Sequence, residues 1–207
     1  MKMKIGILGS GRGSNFEALF RAVKQGRLAV EIRVVLSDQP QAPILEKALK
    51  ALIPSHYIAP GRFKTYLEPE AEKRYIECLR NAGVEWVVLA GFMRVLKSEF
   101  FNAYRGRIIN IHPSLLPAFK GLEAWRQALD YGAKITGCTV HFVDEGIDSG
   151  PILMQKEVFI LDGDTPQTLH ARIQEAEHEI YPQALKLLAE SQIMLQGRRV
   201  RALKKIP

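Results

Sequence analysis

The chain has 207 residues, of which 47% are hydrophobic and 25% are charged, so it is long enough for one large domain with a sizeable core. Its formal net charge of +7 falls to about +2 without the last ten residues, and a positive field this weak suits an anionic substrate without indicating nucleic-acid binding. Two distant cysteines exclude a disulfide scaffold, and no apolar run approaches the ~20 residues of a membrane span, so we expect a soluble cytoplasmic protein.

The first half of the chain alternates short apolar runs with amphipathic segments. We predict strands at residues 5–8, 30–36, 53–58, 84–89 and 107–111, and helices at residues 15–24, 44–52 and 70–82. Strands that alternate with helices in this way form parallel sheets covered by helices on both faces. The sequence therefore predicts a Rossmann-like, doubly wound, mostly parallel α/β sheet.

The second half has a different order of elements. We predict a helix at residues 123–131, extended runs at 136–143 and 152–160, a long helix at 165–189 and a hairpin at 192–200. Thr165 is a plausible N-cap of the long helix, and Pro182 within it should cause a kink. The two extended runs predict an antiparallel C-terminal extension of the sheet.

A glycine-rich loop, Gly9-Ser10-Gly11-Arg12-Gly13-Ser14-Asn15, lies between the first predicted strand and helix. Glycines let the backbone approach an anion closely, and free N–H groups at the start of the helix point toward it. The loop lacks the Gly-Lys-Ser/Thr of a P-loop. It also departs from the dinucleotide fingerprint, because Ser14 replaces the third glycine and no acidic residue clearly ends the second strand. We interpret it as a site for a phosphate monoester, the alternative being a tight turn without a ligand.

Asn110 and His112 lie two residues apart at the end of a predicted strand. Residues at this spacing share one face, and ligands of α/β sheets bind at the carboxyl ends of the strands. Two prolines in the next segment, Pro113-Ser114-Leu115-Leu116-Pro117, restrict its conformations. The pair is a catalytic candidate, the alternative being a capping asparagine and a surface histidine.

Asp148 lies in a loop with two glycines and three acidic residues between the two extended runs of the second half. Taken alone, this loop is a turn. His141, in the preceding run, is interpreted as a structural or supporting residue. No cysteine and histidine cluster has the spacing of metal ligands, so no metal is expected.

Three further segments of the sequence carry recognisable motifs. They are Val88-Leu89-Ala90-Gly91-Phe92-Met93-Arg94-Val95-Leu96, the run from Val140 to Pro151, and Glu177-His178 with Tyr181-Pro182. Together with the glycine loop and residues 110–117, they make the chain resemble the folate-dependent formyltransferase family from residue 3 to about residue 200. The 110–117 run is specific to that family, and the glycine loop with Ser14-Asn15 is similar to the branch that acts on glycinamide ribonucleotide.

The resemblance implies a reaction and a set of roles. The reaction is transfer of the formyl group of 10-formyltetrahydrofolate to the amine of glycinamide ribonucleotide in de novo purine biosynthesis, with no metal. A tetrahedral intermediate would be stabilised by Asn110, His112 and Asp148. Substrate-binding residues would be Gly13, Ser14, Asn15, Gln174 and Glu177. Residues of the pterin pocket would be Met93, Arg94, Leu96, Val143, Asp144 and Asp148.

The same resemblance implies one formyltransferase domain over residues 1–207. Residues 1–110 would form the phosphate-binding α/β half, residues 111–190 the folate and catalytic half, and residues 191–207 a hairpin with a basic tail. The tail carries Arg198, Arg199, Arg201, Lys204 and Lys205. Neither a nucleic acid nor a membrane is expected as a partner, and the chain is expected to be a monomer or a homodimer.

Two other functions remain open from the sequence. Formyltetrahydrofolate deformylase would use the same asparagine, histidine and aspartate with water in place of the amine, but it would not need the phosphate loop. A nucleotide- or RNA-binding module could use the glycine loop and the basic tail. Against that module, the basic residues lack the interleaved aromatic residues that single-strand binding favours.

Overall fold

The computed structural model describes residues 2–203, which contain nine strands and six helices. Two compact units divide the chain between Ile109 and Asn110, and strand β5 (Ile108–His112) runs across this division. Lys204 and Lys205 of the predicted basic tail lie outside the described residues. None of the helices in the described range combines the length and the hydrophobicity that a transmembrane span requires.

The first unit is a parallel sheet with helices between its strands. Its strands are β1 (Met3–Leu8), β2 (Val30–Ser37), β3 (Ser55–Tyr57) and β4 (Trp86–Leu89), and its helices are α1 (Ser14–Lys24), α2 (Pro43–Lys50), α3 (Pro69–Asn81) and α4 (Ser98–Ala103). All the pairings in the order β3-β2-β1-β4 are parallel. Ile7 and Leu8 point to opposite faces, yet both are fully buried, as in a sheet covered on both sides. The predicted doubly wound α/β fold is confirmed.

Element boundaries differ from the predictions by a few residues, and one helix was not predicted. Helix α2 ends at Lys50 because Leu52, with a φ of 58°, has left the helical conformation. Helix α4 has only six residues, too few to show the apolar repeat that identifies a helix in a sequence. Its position depends on tertiary packing, since Phe100 is fully buried.

The second unit is dominated by antiparallel pairs. Its strands are β6 (Ile135–Phe142), β7 (Ile152–Phe159), β8 (Ile193–Gln196) and β9 (Arg199–Ala202), and its helices are α5 (Ala124–Tyr131) and α6 (Pro166–Ala189). The pairs β6–β7 and β8–β9 are antiparallel, whereas β7 and β9 meet in parallel at Ile152 and Arg199. This arrangement confirms the predicted antiparallel extension of the sheet, and the predicted C-terminal hairpin is present as β8 and β9.

Helix α6 packs on β6 and β7 and begins with a reciprocal cap. The Thr168 N–H donates to Thr165 Oγ1 at 3.2 Å, and the Thr165 N–H donates to Thr168 Oγ1 at 2.9 Å. These two bonds satisfy backbone donors that a helix leaves without partners at its start. The helix continues through Pro182, where the expected kink stays a prediction.

Strands β6 and β7 approach each other most tightly at Gly137. A Cβ atom at this position would lie 2.0 Å from the carbonyl oxygen of Lys156, far closer than atoms in real structures come. A Cβ atom on Gly163 would have no atom within 4 Å. The two glycines therefore offer a matched comparison between a position that needs glycine and one that does not.

We expect Gly137→Ala to lower the free energy of unfolding by at least about 2 kcal/mol, because the added methyl group forces the two backbones apart. Gly163→Ala should stay within about 0.5 kcal/mol of the wild type, as surface substitutions usually do. Urea denaturation followed by circular dichroism measures both. Equal stabilities of the two variants would contradict the close approach of β6 and β7.

Candidate active site

His112 ends β5, and Asp148 lies in the loop between β6 and β7, where the fold brings them together. His112 Nδ1 is 3.3 Å from Asp148 Oδ2, and both side chains are largely buried, at 5% and 14% exposed. His112 Nε2 lies 2.9 Å from the carbonyl oxygen of Phe119. Asp148 Oδ2 also accepts a hydrogen bond from the Gly121 N–H at 2.9 Å.

The groups around His112 are hydrogen-bond acceptors. A carbonyl oxygen and an ionised carboxylate only accept hydrogen bonds, so a ring N–H directed at either neighbour meets an acceptor. The His112 ring thus lies between the Phe119 carbonyl oxygen and the Asp148 carboxylate.

Asn110 is positioned by His141, a buried residue of β6 that is 2% exposed. His141 Nδ1 donates to the carbonyl oxygen of Phe142 at 2.8 Å, so Nε2 of the neutral ring accepts from Asn110 Nδ2 at 3.2 Å. Burial lowers the pKa of His141, while the hydrogen bond to Phe142 and the charge of Asp148 act in the opposite direction. The neutral ring orients the Asn110 amide and leaves its second N–H for another acceptor.

The loop that carries Asp148 is held by local contacts. Asp144 Oδ1 accepts hydrogen bonds from Ser149 Oγ at 2.6 Å and from the Gly146 N–H at 3.2 Å. Asp148 has a positive φ of 46°, a conformation that aspartate tolerates better than most residues. A Cβ atom on Gly150 would lie 1.8 Å from the Phe142 carbonyl oxygen, so only glycine fits there. Val143 and Asp144, predicted to bind the pterin, lie at the start of this loop.

The segment after His112 supplies two backbone groups that the sequence did not reveal. Phe119 O and Gly121 N–H contact His112 and Asp148, and both residues have positive φ angles. The segment is anchored to β6, since Thr139 Oγ1 donates to the Ser114 carbonyl oxygen at 2.7 Å and accepts from the Leu116 N–H at 3.0 Å. No side-chain pattern marks a backbone group as functional, so only the positions of the prolines hinted at a braced loop.

The glycine loop passes from β1 into helix α1 with Gly13 as N-cap. Gly13 has a φ of 74°, and a Cβ atom there would approach Ile44 to 2.8 Å. Lys47 Nζ fixes the loop from outside, donating to the Arg12 carbonyl oxygen and to Glu17 Oε2, each at 2.7 Å. Ser14 and Asn15 are the first two residues of α1, so the backbone N–H groups of this turn point out of the start of the helix.

Residues 93–96, predicted to bind the pterin, follow β4 in the same unit. The Met93 N–H donates to Ser10 Oγ at 2.9 Å, which links this segment to the glycine loop. The Met93 side chain is 57% exposed, whereas Leu96 is 4% exposed and Arg94 is bound to Asp38. Contact of these residues with a pterin stays a prediction, and Met93 is the one whose side chain is accessible.

Gln174 and Glu177 lie three residues apart on α6, a spacing that places them on one helix face. Glu177 is 5% exposed, and Gln174 Nε2 lies 3.3 Å from Nε2 of His170. The His170 ring stacks on Trp125 of α5 with 3.7 Å between the ring centroids. Their role in substrate binding stays a prediction.

The residue after strand β2 differs from the sequence prediction. An acidic residue does follow β2 directly, at Asp38, where dinucleotide-binding folds hold a ribose. Its carboxylate is buried against Arg94 Nε at 2.7 Å, so it is engaged within the protein. The departure from the dinucleotide fingerprint therefore rests on Ser14 and on this ion pair, not on a missing acid.

No group of three or more histidine, cysteine, aspartate or glutamate side chains within residues 2–203 is arranged to share a metal ion.

Several known proteins are similar to this chain in sequence and in structure. A family model described as formyl transferase matches residues 3–185. Phosphoribosylglycinamide formyltransferase of Bacillus subtilis (strain 168) is 44% identical over 89% of this chain and 94% of its own length. The crystal structure of glycinamide ribonucleotide transformylase 1 from Symbiobacterium toebii is 45% identical with a TM-score of 0.94, over 98% of this chain and 95% of that one.

A longer relative also matches. The trifunctional purine biosynthetic protein adenosine-3 of Drosophila pseudoobscura pseudoobscura is 45% identical over 99% of this chain, which spans only 15% of that protein. The chain therefore corresponds to nearly the whole of the bacterial relatives and to one part of the longer one. By the match over residues 3–185 and the identity to the Bacillus subtilis enzyme, the chain belongs to the formyl transferase family.

Proposed function

We propose that the protein transfers the formyl group of 10-formyltetrahydrofolate to the amine of glycinamide ribonucleotide, a step of de novo purine biosynthesis. The observation that carries the proposal is the buried cluster in which His112 is paired with Asp148 while Asn110 is oriented by His141. The names of the bacterial relatives support the same reaction and substrate. The proposal needs no metal ion, because the formyl donor is already activated.

The cluster would act on the oxygen of the formyl group. When the substrate nitrogen attacks the formyl carbon, this oxygen becomes negatively charged in a tetrahedral intermediate. Asn110 would donate its second amide N–H to it, and His112 would add a second donor by turning one ring N–H from its present acceptor to the oxygen. A preorganised donor of this kind typically contributes ~3–4 kcal/mol, because it is already oriented when the charge develops.

The same residues would move the proton. The attacking amine must lose a proton, and N10 of the folate must gain one when the bond between N10 and the formyl carbon breaks. Asp148 is the carboxylate base of the cluster, and transfer through Asp148, His112 or an ordered water would connect the two nitrogens.

Binding of the two substrates is assigned to separate residues. The N–H groups at the start of α1, with Gly13, Ser14 and Asn15, would bind the substrate phosphate. Gln174 and Glu177 would bind its sugar or glycinamide portion. Met93, Arg94 and Leu96, and separately Val143, Asp144 and Asp148, would provide the pterin pocket. The exposed apolar side chain of Met93 is of the type that covers a flat heteroaromatic ring.

The nearest alternative is hydrolysis of 10-formyltetrahydrofolate, with water in place of the amine. One assay separates the two reactions: consumption of 10-formyltetrahydrofolate measured with and without glycinamide ribonucleotide. Equal rates in both cases would establish the deformylase reaction instead. RNA binding is the alternative from another class, and a salt titration of RNA affinity would test it. A cytoplasmic location, and a monomeric or homodimeric state, belong to the same proposal.

We expect Asp148→Asn to reduce kcat by at least ~100-fold while the fold is retained, because the amide removes the charge that supports the imidazolium and the proton transfer. Asparagine also tolerates the positive φ of this position. Circular dichroism and kcat of the purified variant are the measurements. Asp162→Asn is the control, since that carboxylate is fully exposed, and near-normal turnover of Asp148→Asn would remove Asp148 from the mechanism.

Changes at the start of α1 should weaken binding of the phosphorylated substrate alone. For Ser14→Ala combined with Asn15→Ala, we expect KM for glycinamide ribonucleotide to rise by ~10-fold or more with little change in KM for the folate. These side chains lie far from the reacting carbon, so their removal weakens binding of the ground state and of the transition state equally. Ser98→Ala, at the exposed first position of α4, is the control. If both KM values rise equally, the loop is structural.

The neutral state of His141 predicts how stability depends on pH. Burial lowers the pKa of His141 in the folded protein, so the unfolded chain binds the proton more readily, and stability falls as pH drops through the ordinary histidine pKa of about 6.5. We expect His141→Gln to lose this component, which amounts to at most about 1.4 kcal/mol per pH unit. Urea unfolding of both proteins from pH 7.5 to 5.0 is the test, and parallel profiles would rule out a neutral His141.

A further inference from the structure

Asp38 carries a carboxylate that has been removed from water. The residue follows β2 directly, and its side chain is 0% exposed. Asp38 Oδ2 accepts hydrogen bonds from Arg94 Nε at 2.7 Å and from Gln39 Nε2 at 3.0 Å. The Arg94 side chain is itself only 12% exposed. Both members of this ion pair are therefore buried.

Arg94 joins Asp38 to a third segment of the same unit. Its Nη1 donates to the Phe63 carbonyl oxygen at 2.7 Å and also contacts that of Lys64. Residues 63–66 are attached to the same place by backbone, because the Val95 N–H donates to the Thr65 carbonyl oxygen at 2.8 Å. One guanidinium thus connects the end of β2, residues 63–66 and residues 93–96.

The burial of Arg94 decides which side chains the segment presents. Exposure alternates along residues 93–96: Met93 and Val95 are 57% and 42% exposed, whereas Arg94 and Leu96 are buried. Turning Arg94 inward therefore turns its two apolar neighbours outward. Phe63 and Tyr66 stack with 4.3 Å between ring centroids, and this places an aromatic pair on the segment to which Arg94 is bound.

The energetics of such a pair favour a role in positioning. Removing two charges from water offsets most of their attraction, so a buried ion pair adds little net stability, while any arrangement that separates the charges is strongly disfavoured. Asp38 Oδ1 is buried without a hydrogen-bond partner among residues 2–203, so the pair is not optimised for stability. Its main effect is to hold the three segments in one arrangement.

We infer that Asp38 and Arg94 are positioning residues for the formyl donor: their ion pair holds residues 63–66 and 93–96 so that Met93 and Val95 face the pterin. The inference rests on the proposed function, which assigns Met93, Arg94 and Leu96 to the pterin pocket. According to this inference, Arg94 acts through its contacts with Asp38 and with the backbone of residues 63 and 64. The resemblance to the family implied instead that Arg94 belongs to the pocket itself.

A double-mutant cycle distinguishes positioning from direct contact. We expect Asp38→Asn to raise KM for 10-formyltetrahydrofolate by ~10-fold or more, as small displacements of binding residues do, with kcat and KM for glycinamide ribonucleotide within about 2-fold. Arg94→Met should have a similar effect, and the double variant should be no worse than Arg94→Met, because the two residues act as one unit. A wild-type KM in Asp38→Asn would overturn the inference. So would a double variant whose increase in KM equals the product of the increases in the two single variants.

Arg94→Met leaves the negative charge of Asp38 buried and unpaired, so a variant that keeps the positive charge at position 94 is also needed. Arg94→Lys retains the cation but loses the planar fork that reaches both Asp38 and Phe63. If Arg94→Met does not fold, Arg94→Lys takes its place in the cycle. Glu46→Gln, which removes an exposed Glu46–Lys50 pair in the same unit, is the control and should behave as wild type.

Two further measurements do not require turnover. Amide hydrogen exchange should be faster at residues 63–66 and 93–96 in Asp38→Asn than in the wild type, with the rest of the first unit unchanged. Affinity for tetrahydrofolate, measured by calorimetry, should fall by ~10-fold or more in the same variant. If the wild type transfers no formyl group, the proposed function fails, yet exchange and tetrahydrofolate affinity still decide the inference. Unchanged exchange in Asp38→Asn overturns it.

Discussion

The candidate active site depends on one electrostatic constraint, which is that His112 lies between two groups that only accept hydrogen bonds. The Phe119 carbonyl oxygen and the Asp148 carboxylate contact its two ring nitrogens at 2.9 and 3.3 Å. Neither neighbour can donate, so a ring N–H directed at either one meets an acceptor. The loop after β5 and the loop between β6 and β7 are both built to keep these acceptors in place. Their positive φ angles, at Phe119 and Asp148, belong to this construction.

Two histidines in one cluster have different surroundings. His112 faces a carboxylate and a carbonyl group, both of which accept hydrogen bonds. His141 is buried in β6 between a carbonyl acceptor and the Asn110 amide donor, and burial lowers its pKa. In the proposed reaction His112 would stabilise the developing oxyanion, and the neutral His141 ring would orient Asn110 as the second donor.

The first unit uses a buried ion pair in a related way. Asp38 and Arg94 lie away from water and connect three segments at the carboxyl end of the parallel strands. In both units a carboxylate on a loop contacts a nitrogen-bearing side chain, His112 or Arg94, and that side chain in turn contacts a backbone carbonyl oxygen of another loop. Loops that bind substrates cannot be held by a hydrophobic core, because one of their sides must stay accessible. Buried charges provide a directional alternative, since a displaced partner is left unpaired.

The sequence by itself determined the fold class, the order of the elements and the candidate residues that have a side-chain signature. Apolar periodicity identified the strands of the parallel half, and the spacing of Asn110 and His112 placed both on one face of β5. Tertiary structure decided what has no such signature. Helix α4 is too short for a periodic pattern, the Phe119 carbonyl and the Gly121 amide are backbone groups, and the pairing of Asp38 with Arg94 joins residues 56 positions apart. Such contacts depend on distances in space, which a sequence read along one dimension does not contain.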